Sequence, residues 1–323
     1  MTTLADLPFV DIYIRLDGPA HPLFRPNTRG ETALNKLVPD TFLPAIEDLT
    51  EAVRSTLQRN EGAVTFESVR CRFSRQLMSD GSIWACGRRI NDIIPSLDTL
   101  GFPSHIRNHL QGLGKRDGLI LVAGSAGAGK TTTAASLLGH YLNTYGGAAV
   151  TIEDPVEYIF PARHGETGQC FQVEVQNDDE WAIALKRSLR WAPRYIFVGE
   201  IRTPQAAEQL LRAASTGYTV LTTVHAGSLE EALMGLLFLA ERAMGPGCES
   251  ILAAGLTALL FQTMRDTGPF VRYVFTEPDN PGDPVRSLIR EKKIGMMSTY
   301  IDRIAARLAN APMPLPPRTQ EKL

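Results

Sequence analysis

Long apolar runs are missing from this 323-residue chain. Its most apolar stretch, Ala232 to Phe261, is interrupted by Glu241, Arg242 and Glu249. No run reaches the roughly 18 apolar residues that suggest a membrane span, so only peripheral membrane association is expected. Net charge is equally scarce. With 33 Lys and Arg against 35 Asp and Glu, there is no whole-protein attraction to nucleic acid or anionic lipid, and a local basic patch is all that stays open. Met1 to Ile12 has no positively charged start ahead of an apolar core, so no secretory signal is expected. Cysteine is rare too. Cys71, Cys86, Cys170 and Cys248 show none of the short spacings of a zinc knuckle or a thioredoxin-like pair. Buried, reduced thiols are the expectation, which suits a reducing cytoplasm.

What is present changes character about a third of the way along. From Asp117 onward, short apolar runs at Gly118–Ala123, Ala149–Ile152, Tyr195–Val198 and Thr219–Val224 alternate with segments of helical spacing. That alternation predicts a mostly parallel sheet covered by helices. One helix is clearly marked: Asn177 as cap, acids at 178–180, Trp181, Leu185 and Leu189 recurring every four residues, and basic residues near its end. Before residue 99 the pattern is that of a small α+β domain. An edge strand over Asp11–Leu16, a Pro-rich loop around His21–Pro26, a helix near Thr41–Leu57 and strands at Ala63–Phe66 and Val69–Phe73 are expected there. The division falls between residues 98 and 99. Helices and a Pro-rich tail, residues 311–318, close the chain.

Gly124-Ser-Ala-Gly-Ala-Gly-Lys130-Thr131 fills the Walker A pattern, after an expected strand and before an expected helix. Glycines let successive backbone N–H groups turn inward around phosphates, and the following helix aims its positive end at the same place. Gly124, Ser125, Ala126, Gly127, Ala128, Gly129, Lys130, Thr131 and Thr132 are the candidate nucleotide-binding residues. Lys130 would reach the β- and γ-phosphates of ATP, and the Thr131 hydroxyl would hold Mg2+. A guanine-reading Asn-Lys-x-Asp does not follow the loop, which sets GTPases aside, and no Leu-Ser-Gly-Gly-Gln run suggests a transporter cassette. On the loop alone, a small-molecule kinase stays open.

Three further segments have strand-end character. Thr151-Ile-Glu-Asp-Pro-Val-Glu157 crowds three carboxylates into five residues, which is costly unless a cation or water network uses them; a solvated acidic loop is the bland alternative. Tyr195-Ile-Phe-Val-Gly-Glu200 is an apolar strand ending in an acid, the Walker B idea, weak when taken alone. Thr216 to His225 is another strand with a polar end. His225 could sense the γ-phosphate through a hydrogen bond, though a lone histidine is usually structural.

In this order the four segments resemble the secretion and type IV pilus ATPase superfamily, whose members carry a Walker A, an Asp box, a Walker B ending in Gly-Glu and a His box. Pro284-Val-Arg-Ser-Leu-Ile-Arg-Glu291 is also similar to a segment of the family's pilus-retraction branch. The resemblance implies a RecA-like α/β P-loop ATPase domain, a smaller α+β PAS-like N-terminal domain, and a homohexamer. It implies Glu157 as general base with Glu200 in the Mg2+ shell, the reverse assignment staying open, and His225 as the second His-box residue. Arg70, Arg72 and Arg88 are the N-terminal arginines that would reach nucleotide at a domain or subunit border. Departures are Tyr218 in place of the first His-box histidine, where a phenol would replace a proton-exchanging group, and Thr203 after Arg202, which with Pro204 makes a good helix start.

Together these readings imply a Mg2+-dependent ATPase on the cytoplasmic face of the inner membrane, working with a membrane platform or secretion-machine components. The type IV secretion (DotB-like) branch is preferred to the pilus-retraction (PilT-type) branch on Tyr218 and on Asp11-Ile-Tyr-Ile14, which resembles the Asp-Leu-His-Leu strand of pilus members without its histidine. A RecA-like DNA motor is the alternative of another class, although no stable nucleic-acid partner is expected.

Overall fold

Two sheets, each with its own apolar core, organise the chain. The computed structural model describes residues 3–27, 34–57, 60–90, 93–265, 268–277, 280 and 282–310. Contacts divide the chain into two units, Met1–Ile93 with Pro155–Ile159, and Ile94–Asp154 with Phe160–Leu323. The expected Pro-rich tail lies outside the described residues.

In the first unit, β1 (Phe9–Arg15), β2 (Leu23–Pro26), β3 (Lys36–Leu37), β4 (Glu61–Phe66), β5 (Val69–Leu77) and β6 (Ile83–Arg89) form an antiparallel sheet in the order β3-β2-β1-β6-β5-β4. Helix α1 (Leu43–Thr56) lays Ile46, Leu49 and Val53 against Ile12, Ile14, Phe73 and Ala85. Two expectations are corrected. The first strand is interior, paired on both sides, and reads as an edge only because Asp11 interrupts its alternation; that carboxylate is in fact buried between arginines. The segment His21–Pro26 is not all loop, since Leu23–Pro26 pairs with β1 and sets Pro26 at the strand's end, where a missing N–H costs little.

In the second unit, α2 (Ser104–Gly112) precedes β7 (Gly118–Gly124), α3 (Lys130–Tyr145), β8 (Gly147–Glu153), β9 (Arg163–His164) and β10 (Gly168–Glu174). Then come α4 (Asp178–Ser188), β11 (Tyr195–Glu200), α5 (Pro204–Ala214), β12 (Thr219–His225), α6 (Leu229–Met244) and α7 (Cys248–Gly255). The hairpin β13 (Leu256–Arg265) and β14 (Gly268–Phe275), α8 (Pro284–Arg290) and α9 (Met297–Asn310) complete it. The sheet order is β14-β13-β7-β12-β11-β8-β10-β9, parallel from β13 to β10 and antiparallel at its two rims. Strands buried on both faces need continuous apolar runs, and Leu119 to Ala123 and Tyr195 to Val198 are at most 1% exposed. This is the expected α/β, RecA-like P-loop fold, with the strand carrying His225 lying between the Walker A and Walker B strands. Asn177 caps α4 by accepting from the Asp179 amide, and Thr203 caps α5 ahead of Pro204, as their sequences predict.

Among the described residues no helix is long and apolar enough to cross a membrane. All four cysteines are free thiols; Cys71, Cys170 and Cys248 are buried and Cys86 is half-buried. Burial pushes the Cys71 and Cys170 thiols up to about 12, so they are inert as thiolates.

Candidate active site

The chain turns between β7 and α3 through Ser125–Gly129. Gly129, at φ 81°, occupies the left-handed region just before the first helical residue, a conformation a side chain would disfavour. The first-turn N–H groups of α3 and its positive dipole end therefore open onto the loop. Lys130 is only 6% exposed. Its ammonium donates to the Ser125 carbonyl at 2.9 Å and lies 3.3 Å from His225 Nδ1. Thr131 and Thr132, half-buried, occupy the same first turn.

The parallel register explains why Lys130 meets a residue so distant in sequence. Strand β12 runs beside β7 with His225 opposite Gly124, so the strand's last residue stands at the mouth of the loop. An ammonium only donates, so His225 Nδ1 accepts and the ring proton sits on Nε2. Nε2 is 3.9 Å from Glu200 Oε2, longer than a direct hydrogen bond but close enough for attraction. Glu200 itself ends β11 after an irregularity between Val198 and Glu200, where Thr223 donates to the Gly199 carbonyl at 2.6 Å. An irregularity of this kind re-aims the side chain that follows it.

Tyr218 belongs elsewhere. It immediately precedes Thr219, which pairs with Gly118, so it stands at the opposite end of β12 from the loop, seven residue steps or roughly 23 Å from His225. Its carbonyl accepts from the Gly118 amide. The phenol that stands in place of the first His-box histidine therefore lies away from the phosphate loop of its own chain.

The three crowded carboxylates of the Thr151–Glu157 segment avoid one another by taking separate partners. Glu153, 2% exposed, accepts from Thr151 Oγ1 at 2.6 Å and from Gln172 Nε2 at 3.2 Å. Asp154 pairs with Arg202 at 3.4 Å, and Arg202 also makes an ion pair with Glu200. Glu157 falls in the first unit, where it lines a cavity of about 390 Å³ with Asp11, Arg72 and Arg88.

The arginines of that unit stand in a cross-strand row. Arg25, Asp11, Arg88 and Arg72 are successive partners across β2, β1, β6 and β5, and directly opposite residues share a face. The face is the one away from α1. Asp11, its side chain 3% exposed, pairs with Arg25 and, at 2.8 Å, with Arg88. Its hydrogen bond raises the Arg88 pKa further above an already high value. Arg72 bonds Glu61 at 2.7 Å, and Arg70 lies two residues before Arg72 on the same face. The expected site residues thus form two groups: Lys130, His225 and Glu200 in the second unit, and Glu157 with Arg70, Arg72 and Arg88 in the first.

Two residues with no assigned role in the sequence reading belong to the surroundings of Lys130, His225 and Glu200. Arg202 bridges Glu200 and Asp154. Gln262, 1% exposed on β13, bonds the phosphate loop from behind; a lone amide inside an apolar run was its only signal.

A family profile described as "Type II/IV secretion system protein" matches residues 88–286. The type IV pilus ATPase PilU of Pseudomonas aeruginosa is 38% identical over 149 residues, 45% of this chain and 37% of that protein's length. Among solved structures, the pilus retraction motor PilT with bound ADP is 28% identical, with a TM-score of 0.72 over 93% of this chain and 87% of that one. The Legionella pneumophila ATPase DotB shares the fold, at 21% identity and a TM-score of 0.69 over 94% and 85%. This chain therefore belongs to the type II/IV secretion system protein family, whose members include pilus ATPases.

Proposed function

We propose that this chain is one subunit of a homohexameric, Mg2+-dependent ATPase that drives a type IV secretion or type IV pilus machine from the cytoplasmic face of the inner membrane. The observation that carries the reading is the meeting of Lys130, at the start of α3, with His225 and Glu200 at the ends of two neighbouring parallel strands, beside a complete phosphate loop.

Each residue has a task in hydrolysis. Backbone N–H groups of the loop and of the first turn of α3 receive the phosphates. Lys130 exchanges its bond to the Ser125 carbonyl for phosphate oxygens, while His225, holding the same ammonium, registers whether a γ-phosphate is there. Thr131 and Glu200 supply the hard oxygen donors that suit Mg2+. When bound, that ion offsets charge on the transferring phosphoryl group. Glu157 accepts the proton of the attacking water, with Glu200 as the alternative base. Arg88, with Arg70 and Arg72, brings positive charge from the N-terminal domain of a neighbouring subunit. Hydrolysis then changes the angle between domains, and that motion moves the machine's platform.

Of the two machines, the identities to PilU and PilT favour a pilus motor. The sequence argument for a secretion motor weakens with Tyr218 at the far end of its strand. Phosphate release by the purified chain is the test. Activity that Lys130→Ala abolishes, with the fold retained by circular dichroism, supports the reading. Lys130→Ala keeping most of the turnover sinks it. Stimulation by single-stranded DNA would point to a DNA motor instead.

A further inference from the structure

We propose that Gln262 is a positioning residue that holds the phosphate loop in its binding form from β13, a strand carrying none of the four motifs. The proposal rests on the loop's being a nucleotide site.

Gln262 Nε2 donates to the Ala128 carbonyl at 2.6 Å, and its Oε1 accepts from Thr133 Oγ1 at 2.8 Å. One planar amide thus ties the loop's backbone to the first turn of α3. Neither bond reaches solvent, since Gln262 and Thr133 are each 1% exposed and Ala128 is 2% exposed. A buried amide is costly unless its polar atoms are paired, and this one is paired at both ends, with the loop and with α3.

The consequence for phosphate follows from peptide geometry. In a planar trans peptide, the C=O of one residue and the N–H of the next point in opposite directions. With the Ala128 carbonyl held toward β13, the Gly129 N–H is turned away from it, toward the interior of the loop where phosphate oxygens would lie. Rotation of that peptide would withdraw the donor, and Gln262 opposes the rotation. The strand also presses both ends of the loop. A Cβ on Gly124 would collide with the Gln262 carbonyl. One on Gly129 would come within 3.0 Å of Gln262 Nε2 and 3.2 Å of the Met264 methyl. The amide therefore acts on phosphate without touching it, through one main-chain donor.

The test compares wild type, Gln262→Leu and Gln262→Glu, with a fluorescent ADP analogue titrated against each full-length chain between pH 5.5 and 8.5. Gln262→Leu keeps the bulk and loses both bonds, so affinity should fall roughly tenfold or more. Turnover at saturating ATP should fall by much less, giving a KM effect rather than a kcat effect. In Gln262→Glu, burial raises the carboxyl pKa. When protonated, the group donates to Ala128 and accepts from Thr133 as the amide does; when ionised, it repels the carbonyl. Its affinity should match wild type at the acid end and weaken progressively as pH rises, relative to wild type at each pH. A defect of packing alone would not follow that titration. Wild-type affinity in Gln262→Leu overturns the proposal, and so does a Gln262→Glu profile parallel to wild type. The second measurement decides if Gln262→Leu does not fold. A wild-type chain that binds no nucleotide overturns both this inference and the reading of the site, whereas binding that ignores both variants sinks the role of Gln262 alone.

Discussion

The ammonium of Lys130 lies 3.3 Å from Nδ1 of His225, a residue 95 positions further along the chain. A cation offered to a neutral imidazole is a charge-assisted hydrogen bond, and such bonds contribute about 1.5–3 kcal/mol. His225→Ala should therefore slow phosphate release by about ten- to a hundredfold. His225→Gln, whose side-chain oxygen can still accept from Lys130, should recover part of that loss. Steady-state turnover of the two variants is the measurement, and equal turnover in wild type and His225→Ala would leave the histidine without a role in hydrolysis.

The two candidate bases can be separated by amide substitution. Glu157→Gln should still bind ATP and Mg2+ yet lose roughly 10²–10⁴-fold in turnover, the usual worth of a general base. Glu200→Gln should change the Mg2+ concentration needed for half-maximal rate, because Glu200 stands with Lys130 and His225 in the second unit. Normal turnover in Glu157→Gln would transfer the base role to Glu200.

Activity should belong to the ring. Arg88 is held by Asp11 in a preformed position, with 68% of its side chain still exposed to a partner. An arginine supplied in trans to phosphoryl transfer can be worth roughly 10³–10⁵ in rate. Specific activity should rise with protein concentration, in step with mass measured by light scattering. Mixing Arg88→Ala with Lys130→Ala subunits should restore part of the turnover, and Arg70→Ala and Arg72→Ala are to be mixed in the same way. A fully active monomer refutes the ring mechanism.

Stability of the second unit should fall on mild acidification. Burial lowers the pKa values of His109, His140 and His164, which favours their neutral forms in the folded chain. The unfolded chain, with ordinary histidines near 6.5, takes up protons first as pH drops. Their contribution is complete above about pH 6.5 and is lost as pH falls from there toward the lower folded values. The urea midpoint should be lower at pH 5.5 than at pH 7.5. His164→Gln should flatten that dependence, and an unchanged slope would remove His164 from the account.

The phosphate loop was legible in the sequence because its eight residues are contiguous and their backbone needs are local: glycines for the turn, a lysine at the helix start. The buried parallel strands were legible for a similar reason, since covering both faces demands uninterrupted apolar residues. The caps Asn177 and Thr203 each act within three residues of themselves. Strand order and register are another matter, because they join segments whose sequences carry no record of one another. Register sets His225 opposite Gly124 and leaves Tyr218 at the other end of the same strand. Asp11 interrupts an apolar alternation and so resembles an edge residue, until two arginines from neighbouring strands are seen to neutralise it in the interior. The Thr151–Glu157 carboxylates divide among Thr151 and Gln172, Arg202, and the arginine-lined cavity, a choice settled by which partners the fold delivers. Gln262 had only its incongruity to announce it. An amide alone in an apolar strand is a cost without visible return until packing brings Ala128 and Thr133 to its two ends, and that long-range pairing is what the tertiary structure alone decided.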